Sequence, residues 1–276
     1  MTLATRNVVL IVGVVLIAAA LAVYLVGAYA LLYGPLSDQS FAVGEHQSWF
    51  GAQWPVTPNG AYHSLGAAFV LALIAAVVLA VSARLFRRVS AAEIYFVMLF
   101  LLSLAVELFR IGTPLADAAG LSALVGVQLT RVVLFGRLMG ALSLFVAGIY
   151  LAGADYPRIG SATFLLAAIS FLVVYLVPVD SREIRATFLH VIGGREAIDF
   201  LIGFLTVGTI ANCLIGWSRG HRERGGAIAL AISALVTGKE LALNLASPVA
   251  LALGVGLVAS GAVAFVLVNR SSYLWY

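Results

Sequence analysis

Charge is what this 276-residue chain has least of. Only 10% of its residues are Asp, Glu, Lys or Arg, where a soluble domain carries about 25%. With a hydrophobic share of 63% and a mean hydropathy of +1.08, a soluble globular domain is excluded. The short alternating segments that build a membrane β-barrel are also missing. The single cysteine, Cys213, excludes an internal disulfide and any multi-cysteine metal or iron–sulfur site. It lies in an apolar run and reads as a small packing residue. One lysine stands against fifteen arginines, a bias that suggests a GC-rich, prokaryotic genome. Enzyme signatures are largely missing: there is no HExxH, GxSxG, P-loop or CxxC, so the sequence leans away from an enzyme without deciding the question. The formal charge of +4 comes without a basic stripe or an RNA-binding motif, so nucleic acid is not an expected partner.

What is present is a series of apolar runs of about 20 residues, the length a helix needs to cross roughly 30 Å of hydrocarbon. Eight are legible, near 8–33, 63–83, 91–111, 121–153, 160–178, 197–217, 226–246 and 248–269. The expectation is an all-α integral membrane protein with about eight transmembrane helices in one polytopic domain over 1–276. Arg6, an apolar core and Ala28-Tyr29-Ala30 resemble a cleavable signal peptide, but the segment is read as a retained first helix. Only Asn244–Pro248 separates the last two spans, which leaves a seven-span reading as the alternative.

Orientation follows from the arginines of the short loops. Arg6, Arg84, Arg87, Arg88, Arg158, Arg219, Arg222, Arg224 and Arg270 fall on one face, whereas the 34–62 loop on the other has neither Lys nor Arg. The 179–196 loop is mixed. Both termini are therefore expected in the cytoplasm, with the chain in the plasma (inner) membrane. A Glu-Leu followed by a Pro recurs near the end of the third span of each half, Glu107-Leu108 to Thr113-Pro114 and Glu240-Leu241 to Ser247-Pro248. This echo raises a weak 4+4 parallel repeat of halves 1–155 and 156–276.

The charges that do not belong to loops carry the functional signal. Glu107, Arg110, Arg131, Arg137, Asp199, Lys239 and Glu240 fall inside or at the rim of apolar spans, all toward the outer face. An ionisable group at the centre of a membrane helix costs at least about 2.5–3.5 kcal/mol, so such groups face a bundle interior or a wet cavity. At a rise of 1.5 Å per residue, Glu107 stands roughly 24 Å from the inner end of its span, with Arg110 one turn further. At i, i+3 the two share a face and can pair. Arg131 belongs near the outer interface and Arg137 about 9 Å deeper. Lys239 and Glu240 lie in the outer third of theirs, and Asp199 opens the sixth span at that level. Ion pairing between helices and snorkelling to the interface are the structural uses of such groups. Bases outnumber acids in the set, which favours an anionic or zwitterionic ligand, because guanidinium forks fit carboxylates and phosphates.

Small residues and aromatics add detail. Gly136 and Gly140 form a GxxxG step that would hold the Arg137 helix against a neighbour. Gly254, Gly256, Ser260 and Gly261 mark a second close contact, with a neighbouring helix or a partner subunit. Phe41, Trp49, Phe50, Trp54 and Tyr62 in the 34–62 loop suit an interfacial belt or a lid over the cavity mouth. His46, His63 and His190 fall on the same side but without metal-ligand spacing, so no metal and no cofactor is expected.

These readings converge on a multi-pass protein with an outward-facing polar cavity. It would act as a binding or sensing module, or as a subunit of a membrane complex. Its expected partners are membrane lipid, an anionic or zwitterionic small molecule or lipid headgroup, and another membrane or cytoplasmic protein. The alternatives are an ion- or proton-coupled transporter and a lipid-modifying intramembrane enzyme using the outer charges as acid and base. A retinal protein with Lys239 as Schiff base and Glu107 as counter-ion fits poorly. Lys239 is too near the helix end, with Glu240 beside it and no aromatic neighbours on its helix.

Overall fold

The computed structural model describes residues 3–33, 46–49, 52–55, 60–86, 89, 91–154, 158–184, 187–219, 225–244 and 247–273. Eight helices among them are long and apolar enough to cross a membrane, in line with the eight runs of the sequence. In chain order, α1 (Leu3–Leu32) is followed by a hairpin of β1 (His46–Trp49) and β2 (Ala52–Pro55), then α2 (Gly60–Leu85). The third span is composite: α3 (Ala92–Ala105), a 3-10 stretch over Val106–Ile111, and α4 (Gly112–Ala118). Next come α5 (Ala123–Leu151) and α6 (Ile159–Leu176), then a second hairpin of β3 (Val179–Ile184) and β4 (His190–Ile192). The chain closes with α7 (Arg195–Ser218), α8 (Gly225–Asn244) and α9 (Pro248–Tyr273). Both hairpins, the α4–α5 turn and the α8–α9 turn belong to one end of the bundle, the end the arginine pattern expects to face outward.

The third span reaches further than the 91–111 expected from the sequence. Glu107, Arg110 and Thr113-Pro114 interrupt the apolar run, yet the chain continues in a right-handed helix through them to Ala118. Pro114 sits in the first turn of α4, where a missing N–H is tolerated. Its cost falls on the preceding turn, since the Arg110 carbonyl loses its α-helical donor. The chain there tightens to 3-10 geometry: the Gly112 N–H donates to the Phe109 carbonyl, three residues back. Glycines then stop two helices sharply. Gly120 (φ 65°) and Gly153 (φ 98°) adopt the left-handed conformation that side chains disfavour. The next residues, Leu121 and Ala154, reach back to the carbonyls of Ala116 and Ile149, closing two Schellman-type ends.

The third span and α5 form the middle of the bundle. Of the apolar window of the third span 78% is buried, against 17% for α6 and 22% for α1, so these last two helices lie at the periphery. Packing of α5 against α3 follows from the GxxxG step. A Cβ at Gly136 would stand 2.7 Å from Val106 Cβ, and one at Gly140 would collide with the Ser103 hydroxyl. In hydrocarbon no hydrophobic effect draws helices together, so such close backbone approach, with its dispersion contacts, supplies the association energy. The second set of small residues is used within the chain. A Cβ at Gly238 would stand 2.7 Å from the Gly254 carbonyl, and one at Gly261 would stand 2.7 Å from the Ala231 carbonyl. α8 and α9 are thereby an antiparallel pair in near backbone contact. Gly256 takes no part, with nothing within 4 Å of its Cβ position.

Candidate functional site

The 3-10 stretch presents Glu107 and Arg110 to the centre of the bundle, where both are buried. Glu107 holds two arginines at once. Its Oε2 accepts from Arg110 Nε at 2.6 Å, and its Oε1 accepts from Arg137 Nε at 3.0 Å. Arg137, carried on α5 between the two glycines that hold α5 against α3, extends the chain of contacts to α8. Its Nη1 donates to Asn244 Oδ1 at 3.2 Å, and Asn244 Nδ2 donates to Glu240 Oε2 at 2.5 Å. Lys239 closes the circuit, 3.2 Å from Glu240 Oε1 and donating to the Arg137 carbonyl at 3.4 Å. Five of the seven charged residues singled out in the sequence thus form one network across the third span, α5 and α8.

The network is packed. Side-chain exposure is 0% for Arg110, 2% for Glu107, 5% for Lys239, 9% for Glu240 and 15% for Arg137. Such burial demands compensation, because an unpaired ion in a low-dielectric site carries a desolvation cost of several kcal/mol. Compensation is incomplete: three bases face two acids, a formal surplus of one positive charge. Hydrogen bonding is incomplete as well. Arg110 Nη1 and Nη2 and Arg137 Nη2 are buried without a hydrogen-bond partner. Native proteins leave few buried donors unmet, so each such group calls for an explanation.

Asp199 and Arg131 stand apart from this circuit. Asp199 pairs with Arg195 one turn earlier on α7, at 3.2 Å, a pair within electrostatic reach of Arg137. Arg131 lies over the Tyr175 ring, 5.7 Å from its centroid, a cation–π contact between α5 and α6. Its Nε is buried without a partner. Among the described residues no three of His, Cys, Asp and Glu are grouped so as to hold a metal ion. The 34–62 loop, expected as a belt or lid, lies mostly outside the described residues; its 46–49 and 52–55 segments pair as an antiparallel hairpin.

Four further residues belong to this end of the bundle, and the sequence, which had already set His190 on this side, assigned a binding role to none of them. Asn244 joins Arg137 to Glu240; its spacing of four residues from Glu240 was the available signal, since i, i+4 side chains on a helix meet. Thr113 and His190 each bury a polar atom without a partner, Oγ1 and Nδ1 respectively. Phe188, at the tip of the second hairpin, is 1% exposed and has a left-handed φ of 55°. It packs with Tyr24, Leu108 and Ile111, and Thr187, Leu189 and His190 are buried beside it. Residues 187–190 are thus sunk into the mouth of the bundle. No sequence pattern marks that insertion.

On the other side of Lys239 and Glu240 is a cavity of about 10 Å³, space for one water molecule. Thr206 and Thr209 of α7 line it together with Phe100 and Leu144. Both threonine hydroxyls donate to carbonyls of their own helix, those of Ile202 and Leu205, which leaves oxygen lone pairs as acceptors. The Lys239–Glu240 pair therefore adjoins a small, mostly apolar-lined space on its α7 side, with the two threonines as its other polar residues. The chain matches no family model, no curated protein and no solved structure, so the functional reading of this network rests on its own geometry.

Proposed function

We propose that the outer half of the bundle binds an anionic or zwitterionic small molecule or lipid headgroup, and that the protein serves as a binding or sensing module or as a subunit of a membrane complex. One observation carries the reading. Arg110 is fully buried, pays for its desolvation with a single carboxylate contact, and keeps both Nη groups without an acceptor. A purely structural ion pair has no use for a third base or for unmet guanidinium donors. A ligand oxyanion would answer both the extra charge and the open donors. Arg137, with its own free Nη2, is the second direct contact.

The test compares Arg137→Gln and Arg137→Lys with the unaltered protein, for folding and for molecules retained through purification, by native mass spectrometry from detergent. The expected result is a folded Arg137→Gln protein that has lost its co-purified anion, with partial retention in Arg137→Lys because the planar fork is gone. An Arg137→Gln protein that folds and keeps the molecule overturns the proposal. One that does not fold assigns Arg137 to holding helices together.

A second reading, an ion- or proton-coupled carrier, is favoured by the water-sized cavity against Lys239 and Glu240 with its two threonines. Proteoliposomes carrying an internal pH dye separate the two. A substrate-dependent pH change lost in Glu240→Gln supports the carrier, and a silent dye supports binding alone.

A further inference from the structure

Arg110 is not alone in holding unmet polar atoms. Thr113 Oγ1 and His190 Nδ1 are buried without a hydrogen-bond partner, like Arg110 Nη1 and Nη2. Exposure is 0% for Arg110, 1% for Thr113 and 5% for His190. Arg110 and Thr113 are three residues apart on unbroken right-handed helical backbone, so they stand on one face, Thr113 a turn nearer the hairpin end. His190 comes from the opposite direction, on β4. Its backbone N–H donates to Thr130 Oγ1 at 3.1 Å, and its ring is pressed against α5 at Gly126. A Cβ on Gly126 would collide with His190 Nε2 and would lie 3.5 Å from Thr113 Cγ2. The imidazole and the threonine therefore flank the same spot on α5. The glycine there is what lets the ring in.

The chemistry of these atoms selects a ligand class. Arg110 Nη1 and Nη2 carry four N–H donors and no acceptor, Thr113 adds a hydroxyl, and a neutral imidazole can donate through Nδ1. A cation would meet a network that already carries one positive charge in excess, and an apolar group would leave every one of these atoms unsatisfied. A singly charged oxyanion matches both the surplus of one positive charge in the network and the predominance of donors.

We infer that Arg110, Thr113 and His190 form an oxyanion-binding subsite under the tip of the second hairpin, taking the carboxylate or phosphate group of the ligand. The inference rests on the anionic-ligand reading above and deepens it. It places the charged end of the ligand against the third span and β4. Because His190 is on the inserted hairpin, the subsite is complete only while residues 187–190 stay seated in the bundle mouth.

The experiment uses the full chain in maltoside micelles, which bring no anion of their own. Thermal melting is followed as acetate, inorganic phosphate or short-chain phosphatidylglycerol is added. A response to acetate or phosphate assigns a free oxyanion; a response to the lipid alone assigns a headgroup. Thr113→Val and His190→Leu each remove an unpartnered atom and no hydrogen bond made to another residue by that side chain. Both variants are therefore expected to melt unchanged or higher without probe, since the loss of an unsatisfied buried group is neutral or favourable. Both are expected to weaken probe binding about tenfold or more, the worth of a hydrogen bond to a charged group. Variants that bind like the unaltered protein, or that melt lower without probe, overturn the subsite. If they bind normally while Arg137→Gln does not, the subsite falls and the wider proposal stands. If none of the three probes shifts the unaltered protein, both fall.

Discussion

Glu107→Gln is the sharpest perturbation available, because it removes one charge and almost no volume. The carboxylate is 2% exposed and meets Arg110 Nε at 2.6 Å and Arg137 Nε at 3.0 Å. After the change, three bases face one acid, and the new amide turns a donor toward one of the two guanidinium groups. Removing one partner of a buried pair commonly costs about 3–5 kcal/mol. The unfolded state within a membrane also finds partners for polar groups, which pulls the cost toward the lower end. At about 2 °C per kcal/mol for a long chain, the expected fall in melting temperature is about 6–10 °C. Thermal denaturation in detergent, followed by fluorescence or by aggregation, reads this directly. Glu107→Gln combined with Arg110→Met removes the orphaned charge with its partner and is expected to recover at least half the loss, the signature of coupled residues. A single variant that melts within about 2 °C of the unaltered protein, or a double variant that loses as much as both singles together, refutes the reasoning.

Three further outcomes follow from the packing. Gly238→Ala places a methyl group 2.7 Å from the Gly254 carbonyl and 2.8 Å from the Val258 N–H group, so α9 must back away; a loss of about 1–3 kcal/mol is expected in a melting assay. Gly256→Ala, which meets nothing within 4 Å, is expected to be neutral or stabilising by up to about 1 kcal/mol. Cys213, 1% exposed, is expected to resist maleimide in micelles and to react fully once the protein is unfolded in dodecyl sulfate. In a Cys213→Ala background, a membrane-impermeant maleimide added to whole cells is expected to label Gln47→Cys and miss Arg222→Cys. Labelling at 222 from outside would invert the orientation drawn from the arginines.

The spans were legible because length and apolarity alone decide whether a helix crosses hydrocarbon. The pairing of Glu107 with Arg110 was legible from their spacing, and Arg137 stood among the charges placed in the same half of the bundle. The GxxxG step next to Arg137 also proved to be a helix crossing. What could not be read is direction around each helix. α1 is apolar on every side, so hydropathy does not reveal which stripe faces inward. In the structure it is the stripe of Leu10, Gly13, Ile17, Tyr24 and Gly27, with Gly13 against Leu102 and Gly27 against Leu115 and Ile111. The same blindness hid the roles of Asn244 and Thr113. A neutral polar side chain near a helix end has the same sequence signature whether it meets a phospholipid headgroup or a buried arginine. The insertion of Phe188 was out of reach for a different cause: it depends on a left-handed backbone in a non-glycine residue, which local propensity argues against.

The six residues Val106–Ile111 make the third span a screw of two pitches. A 3-10 segment rises about 2.0 Å and turns about 120° per residue, whereas an α-helix rises 1.5 Å and turns 100°. Rewinding this segment to α geometry would draw α4 about 3 Å toward the middle of the membrane and rotate it by about 120°. Glu107 and Arg110 are cut into the thread itself, so whatever grips or releases those two side chains acts on the torque between the two ends of the span. Rewinding at the charge network would thereby be converted into a swing of Thr113, and of everything docked on it, by about a third of a turn.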